Sequence, residues 1–365
     1  MRLPAVTGAC LRRLSGAAAS IENISLMNLR YLPTLVPALL LAAGNAAAQG
    51  AAASLQPSQL ALVINDDEPN SVEIGELYRS ARNIPEKNIV HVRIPNRPRK
   101  LDAEQFAKLK AEIDGKLGPD VQAVLMVWTA PYAVECNGIT AAYTLGFDAQ
   151  QCVKTCAPGT QSGFFNAPAA VQPADRQMRL SMLLPTESVE GAKALIERGR
   201  AGGFRMPAAG AYFLVTSEGA RNSRARFFPP SGTVPQRKLT IHTLREDAIE
   251  GKRDIMFYQT GKARVDKLDT LAFLPGALAD HLTSFGGDLL GNGQMSSLKW
   301  LEAGATASYG TVSEPCNYWQ KFPNPNLLLR SYLGGTTAVE AYWRSVAWPA
   351  QGVFIGDPLA APYKK

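Results

Sequence analysis

Between residues 60 and 128, short apolar runs alternate with amphipathic stretches of helical periodicity, and this alternation limits the fold more than any other feature. The run 60–65 is compact and β-rich, and 71–82 and 102–117 place apolar residues at helical spacing. The run 121–128 is continuously apolar, as expected of a central strand that is buried on both faces. This alternation predicts a three-layer α/β fold, in which helices cover both faces of a mostly parallel sheet.

The same pattern divides the chain into two α/β halves. The N-terminal half spans 59–203 and contains an irregular Cys-containing loop at 129–173, where the periodicity disappears. The glycine pair Gly202-Gly203 marks a boundary. The strand–helix pattern then resumes in the C-terminal half, 204–365.

Within the C-terminal half, two predicted strands matter for function. A strand at 269–274 is expected to stop at Pro275-Gly276 and to lead into a short helix that ends at Gly286-Gly287. A second strand at 305–310 runs into the turn Glu314-Pro315-Cys316. Because ligands bind outside the carboxyl ends of strands in such sheets, this turn predicts either a site or a disulfide.

Residues 1–48 are typical of a leader with a signal peptide at 27–48. A positive charge and an apolar core at 31–43 follow Met27, and this core is too short to span a bilayer. Cleavage after about Ala48 would release a periplasmic or secreted chain without a transmembrane helix. An uncleaved or lipid-anchored N-terminal helix is the alternative.

The net charge does not indicate a nucleic-acid partner. The formal charge is +7, of which the four arginines and one glutamate of 1–48 contribute +3, leaving +4 for the remainder. That remainder contains no Lys/Arg-rich run, whereas nucleic-acid binding requires clustered basic residues. An extracytoplasmic protein or peptide is the expected kind of partner, and the sequence does not identify a cofactor.

Four cysteines remain once the leader is removed, an even number that favours disulfides in an oxidising compartment. The spacing and the predicted strand ends favour the pairs Cys152–Cys156 and Cys136–Cys316. The Cys-x3-Cys spacing could instead bind zinc. No nearby histidine or second close cysteine pair supports that alternative, so no metal site is predicted.

The order of these pieces resembles the caspase-like fold of the gingipain-type cysteine peptidases across roughly 60–363. The landmarks are the apolar strand 121–128 with its irregular loop, the strand–proline–helix unit 180–192, and Gly304-Ala305, which open a strand. Gly356-Asp357-Pro358 near the end of the chain completes the set.

The resemblance implies where a catalytic dyad would lie. In these peptidases a histidine follows a glycine after one strand, and the nucleophilic cysteine ends the next strand. The matching positions here are Gly261-Lys262 and Phe273-Leu274-Pro275, which contain neither residue. A lysine cannot supply the imidazole that activates a thiol. The gingipain-type dyad is therefore predicted to be absent.

The sequence also resembles a family of exported bacterial proteins that has no established activity. The shared motifs are Pro69-Asn70-Ser71, the segment 280–287 that begins with Asp280-His281, and the turn Glu314-Pro315. This resemblance implies a fold and a compartment but no reaction.

Several acids follow predicted strands and are candidate ligand-binding residues. Asp66 and Asp67, with Glu68, precede a helix, where they could cap its N-terminus or bind a divalent cation or basic ligand. Glu314 and Asp357 are expected at one edge of the sheet. Ser217-Glu218 is another such pair.

His281 and Cys316 are the candidates for catalysis. They could form a dyad in which Glu314 orients the imidazole. Alternatively, His281 caps a helix C-terminus and Cys316 lies in a disulfide, and these interpretations exclude each other because a disulfide sulfur is no nucleophile.

Two functional hypotheses follow. The first is an exported protein of caspase-like fold that lacks peptidase chemistry and acts as a binding or envelope-associated module. The second is a hydrolase, a peptidase or amidase, that uses Cys316 with His281 or a metal held by Asp66 and Asp67.

Overall fold

The computed structural model describes residues 54–201 and 208–364. The predicted leader and the predicted boundary at Gly202-Gly203 lie outside these residues. Within them, no helix is long and apolar enough to cross a membrane.

The described residues form strands and helices that alternate along the chain. The strands are β1 Leu60–Asn65, β2 Ile89–Val92, β3 Lys100–Leu101, β4 Ala123–Val127, β5 Ala133–Val134, β6 Asn137–Gly138, β7 Leu180–Leu183, β8 Ala209–Leu214, β9 Gly232–Val234, β10 Leu239–Leu244, β11 Ile255–Thr260, β12 Phe273–His281, β13 Ala307–Thr311 and β14 Gly352–Gly356. The helices are α1 Pro69–Arg82, α2 Ala103–Lys116, α3 Ile139–Leu145, α4 Ala149–Val153, α5 Val189–Arg200, α6 Leu298–Glu302, α7 Pro325–Leu333 and α8 Ala338–Ser345.

One large sheet contains most of these strands, in the order β2-β1-β4-β7-β14-β13-β12-β11-β8-β10-β9. The strands from β2 to β14 are parallel to one another, and so are those from β13 to β10. The two blocks meet at the antiparallel pair β13–β14, and β9 is antiparallel to β10. The predicted α/β class with a mostly parallel sheet is confirmed, and both predicted halves contribute strands to this sheet.

The strands at the centre of each block are buried along their whole length. Every residue of β1, β4, β7, β8, β11, β13 and β14 is buried. A parallel sheet with this burial is covered on both faces, which explains why these strands are continuous apolar runs in the sequence. Helix α1 covers β1: Gly75 lies so close to the Ile64 side chain that a Cβ there would be 2.6 Å from it.

The strand predicted at 269–274 does not stop at Pro275-Gly276. It continues as β12 to His281, so the short helix predicted after it is wrong. Phe273 is opposite Ile255, yet Leu278 is opposite Phe257, so β12 bulges where the proline and glycine lie. Gly276 has a φ of +86°, and its N–H donates to Thr306 Oγ1 at 3.0 Å. The bulge therefore accommodates residues that usually end a strand.

The stretch predicted as an irregular loop, 129–173, contains short elements. β5 pairs with both β3 and β6 in a small second sheet, and α3 and α4 follow. The Asn137 side chain joins these parts, since it accepts from Asp148 N at 2.9 Å and donates to Asp148 O at 3.0 Å. Residues 154–172 contain no helix or strand.

Candidate functional site

The carboxyl ends of β8, β11 and β12 lie at the edge of the second block, beside the point where the order of the strands reverses. Strand β8 lies between β10 and β11, so the chain leaves β8 to one side and returns to the other. Such a reversal opens a crevice at the strand ends, the usual place for a ligand in open α/β sheets. We call the charged and polar side chains there, Glu218, Arg221, Lys262 and Thr283, the strand-end cluster.

Glu218 and Arg221 join the ends of all three strands. Glu218 Oε2 accepts from an Arg221 guanidinium nitrogen at 2.7 Å and from Ala263 N, just after β11, at 3.1 Å. Arg221 Nε donates to Thr283 Oγ1, just after β12, at 3.2 Å. Both charged side chains remain more than a quarter exposed, so they can reach a ligand.

Lys262 lies between two carboxylates. Its Nζ is 3.5 Å from Asp247 Oδ2 and 3.6 Å from Asp266 Oδ2. Asp247 also accepts from the backbone N–H and the hydroxyl of Ser217, both at 2.7 Å. The backbone hydrogen bond from Ser217 is the main reason why the pKa of Asp247 is lowered, and Asp247 therefore remains a carboxylate beside Lys262.

The cluster has the chemistry of a binding site rather than of a nucleophile. The Thr283 hydroxyl donates to Gln294 Oε1 at 2.7 Å, an amide oxygen that cannot act as a base toward it. The guanidinium, ammonium and carboxylate groups can instead bind ligand groups of either charge. Sequence analysis named Ser217-Glu218 as a candidate pair and Lys262 only as the residue in place of a dyad histidine, and it missed Arg221, whose signal is its spacing of three residues from Glu218.

His281 has neither of the roles predicted for it, catalysis or helix capping. It ends a strand rather than capping a helix, and it is buried. Its Nε2 is 3.0 Å from Met295 O, and its Nδ1 accepts from Trp300 Nε1 at 2.9 Å, so the ring is a neutral tautomer that donates from Nε2. Burial lowers the pKa of His281 to about 3.

This buried histidine predicts a pH dependence of stability. Between about pH 6.5 and 3 the unfolded chain binds a proton at His281 that the folded protein does not, so the free energy of unfolding should fall as the pH falls. The contribution is roughly 1.4 kcal/mol per pH unit within this window. Urea unfolding of the wild type and His281→Phe at several pH values tests it. We expect the stability difference between the two proteins to shrink toward low pH, and parallel profiles would contradict the assignment.

The cysteine pairs differ from those predicted. Cys136 pairs with Cys152 and Cys156 with Cys316, each with Cα atoms 5.3 Å apart, so the predicted pairs Cys152–Cys156 and Cys136–Cys316 are wrong. The reason is helix α4, which contains Cys152 and holds it beside Cys136, whose N–H is 3.4 Å from Cys152 Sγ.

The pairing also removes the predicted dyad, because Cys316 has no free thiol. Glu314 does not orient His281. Its Oε1 accepts from Cys316 N at 2.7 Å and closes the turn. The sulfurs of Cys156 and Cys316 lie within 4.8 Å of Glu314, but a disulfide offers no thiolate to a metal.

Lys321 holds this turn against the loop that contains Cys156. Its Nζ donates to Thr155 O at 2.6 Å and to Gln351 Oε1 at 2.7 Å, and Gln351 Nε2 donates to Glu314 O at 2.9 Å. Burial lowers the pKa of Lys321 to about 8, against the opposing effect of Glu314. These contacts give the turn a structural role.

The acids Asp66 and Asp67 each have a partner from β2 or just beyond it. Asp66 Oδ1 lies 2.7 Å from His91 Nδ1, and Asp67 Oδ1 accepts from Arg93 at 2.9 Å. Neither caps α1, whose N-cap residue is Glu68. The structure therefore does not support helix capping by these two acids, and one oxygen of each carboxylate already has a partner.

Asp357 and Glu314 were predicted at one edge of the sheet, but they lie at opposite edges. Because β13 and β14 are antiparallel, Asp357 N donates to Thr306 O before β13, whereas Glu314 follows the end of β13. Asp357 is buried, and it accepts from the Tyr78 hydroxyl at 2.7 Å and pairs with Arg82. The four predicted ligand-binding acids are thus not brought into one site.

Comparisons with known proteins give a distant structural similarity. No protein-family model matches the sequence, and neither does any curated protein. A structure of a protease matches with a TM-score of 0.43 and 9% identity, over 85% of this chain and 79% of that one. The Arg-specific cysteine proteinase gingipain R (RgpB) matches with a TM-score of 0.43 and 11% identity, over the same shares. A complex of the Porphyromonas gingivalis RgpB pro- and mature domains gives 0.41 and 10%, over 83% and 79%. The similarity concerns the fold alone.

Proposed function

We propose that this chain is an exported binding protein of caspase-like fold without cysteine-peptidase chemistry, and that the strand-end cluster is its ligand site. The observation that carries the proposal is the residue set after β11 and β12. Lys262 follows β11, where the resemblance implies a histidine, and Leu282 and Thr283 follow His281 at the end of β12, where it implies a cysteine. The position first assigned to that cysteine, Phe273-Leu274-Pro275, lies at the start of β12 and contains no cysteine either.

The cysteines support both parts of the proposal. All four within the described ranges, 54–201 and 208–364, are in disulfides, which leaves those ranges without a thiol nucleophile. Disulfides persist in oxidising compartments, which agrees with the leader predicted at 1–48. The alternative hydrolase loses its dyad, and the contacts of Asp66 with His91 and of Asp67 with Arg93 occupy one oxygen of each acid in its metal site.

A fluorogenic peptide library with every residue type before the scissile bond tests the absence of peptidase chemistry. The purified mature protein is expected to release no fluorophore above the buffer, with or without prior treatment with iodoacetamide. Hydrolysis that Lys262→Ala or Thr283→Ala abolishes would contradict the proposal, because it would make the strand-end cluster catalytic.

Peptide display on the immobilised protein tests binding. Peptides that the wild type retains should not be retained by the variants Glu218→Gln and Arg221→Gln, since each change breaks the link between the strand ends. The matched control is Glu76→Gln with Arg79→Gln, an exposed pair on α1 with the same three-residue spacing. Retention that depends on neither pair would place the ligand elsewhere.

A further inference from the structure

A second surface, built from aromatic rings, lies apart from the strand-end cluster. Of the five tryptophans, Trp128, Trp300 and Trp343 are fully buried, whereas Trp319 and Trp348 are partly exposed. Trp319 packs against Phe227 with ring centres 4.5 Å apart, and Tyr318 packs against Trp348 at 5.5 Å. These four rings, all partly exposed, form what we call the aromatic surface.

The aromatic surface carries a positive charge, that of Arg226, which has no ion-pair partner among the described residues. The exposed Arg226 guanidinium lies 4.9 Å from the ring centre of Phe227 and 5.7 Å from that of Trp319. Among the residues that the structure describes, no carboxylate forms an ion pair with Arg226.

A groove adjoins the aromatic surface. It has a volume of about 920 Å³ and lies between α3–α4 and residues 157–161. The groove reaches the rings through Gly159, where a Cβ would lie only 2.9 Å from Trp348 Cβ. Trp348 N in turn donates to Gln320 O at 2.8 Å, which joins the two ring pairs. Leu145 and Val153, two of the few exposed large apolar residues among those described, line the groove.

We propose that the aromatic surface and the groove bind an acidic oligosaccharide. A pyranose ring has apolar C–H faces that stack on aromatic rings, and hydroxyl groups at its edge that need hydrogen-bond partners. Amide side chains supply such partners, and Gln150 and Gln161 line the groove. A uronate carboxylate would bind the unpaired Arg226. The groove has the size of a small-ligand site.

Titration of the intrinsic tryptophan fluorescence tests this proposal, which does not depend on the strand-end cluster. Hexagalacturonate is the acidic probe, maltohexaose the neutral probe and hexaglutamate the acidic peptide. We expect hexagalacturonate to give a saturable change, and Trp319→Ala to weaken its binding about tenfold or more. Trp319→Phe keeps a ring for packing and should bind with intermediate affinity.

Charge recognition is tested with Arg226→Gln. This change should reduce the affinity for hexagalacturonate to that for maltohexaose and leave maltohexaose binding unchanged. Arg176→Gln, at an exposed arginine without an ion pair in the structure, is the matched control and should bind both sugars as the wild type does. The proposal is overturned if neither sugar binds saturably, if Arg176→Gln has the same effect as Arg226→Gln, or if hexaglutamate binds more tightly than hexagalacturonate.

Discussion

Replacing Arg224 by methionine is expected to lower the free energy of unfolding by about 3–5 kcal/mol. Arg224 and Asp280 form an ion pair in which both side chains are only 1% exposed. Arg224 also donates to Thr260 O at 2.9 Å and to Pro323 O at 3.2 Å, and Asp280 accepts from Gln259 Nε2 at 2.8 Å. Without the guanidinium, Asp280 would be a buried charge with one amide partner.

Replacing Arg224 lowers the free energy of unfolding because Asp280 is buried. Burial raises the pKa of Asp280 although Arg224 opposes it, so the carboxylate depends on its partner to stay ionised in the core. In Arg224→Met the carboxyl group must either remain charged without compensation or take up a proton. Both alternatives destabilise the folded protein relative to the unfolded chain.

Denaturant unfolding of single and double variants measures this contribution. The double variant Arg224→Met with Asp280→Leu should recover most of the loss, because an apolar pair of similar volume needs no compensation. Lys299→Met, which breaks the exposed pair with Glu302 on α6, is the control and should hardly change the stability. A loss of under about 1 kcal/mol in Arg224→Met would show that the pair is not buried as described.

The sequence pattern predicted the sheet because strands buried on both faces must be apolar along their whole length. The runs at β1 and β4 carry that signal locally. The part of β12 beyond residue 274 could not be predicted, since Pro275-Gly276 is a local signal to stop. The hydrogen bonds that stabilise the strand at this point come from residues distant in sequence. Gly276 N donates to Thr306, and Gly276 O accepts from the Tyr332 hydroxyl at 2.6 Å.

Only part of the strand-end cluster could be predicted from the sequence. Ser217-Glu218 follows from the rule that sites lie at the carboxyl ends of strands, whereas Lys262 was noted only as the residue in place of a dyad histidine. The pairing of charges does not follow from that rule. Asp66 and Asp67 seemed free in the sequence because His91 and Arg93 lie one strand away. Arg221 was not found because its partner Thr283 follows a different strand.

The cysteine pairing can be tested by tryptic digestion without reduction, because cleavage after Lys154 separates Cys152 from Cys156. Peptide 117–154 contains Cys136 and Cys152, 155–176 contains Cys156, and 300–321 contains Cys316. The observed pairs predict that 117–154 carries an internal disulfide and that 155–176 is linked to 300–321. The pairing first predicted from the sequence would instead join all three peptides in one species, and detection of that species would contradict the structure.

Removing the Cys156–Cys316 disulfide is expected to destabilise the protein more than removing the Cys136–Cys152 disulfide. The loops closed are 160 residues for Cys156–Cys316 and 16 for Cys136–Cys152, so chain entropy predicts losses of about 5 and about 3 kcal/mol. Cys156→Ser with Cys316→Ser therefore should unfold at a lower denaturant concentration than Cys136→Ser with Cys152→Ser. Equal losses would contradict an entropic origin.

The longer disulfide also matters for the groove. It joins the loop that leads to Gly159 to the turn after β13, close to the aromatic surface. Where Cys156→Ser with Cys316→Ser is still folded, Lys321 alone would hold Thr155 against that turn. We therefore expect this variant to lose hexagalacturonate binding under conditions in which it is still folded. The loss should occur at pH values above about 8, where Lys321 gives up its proton. Fluorescence titration at pH 7 and pH 9, with circular dichroism as the control for folding, separates the two effects, and equal affinity at both pH values would exclude this role of Lys321.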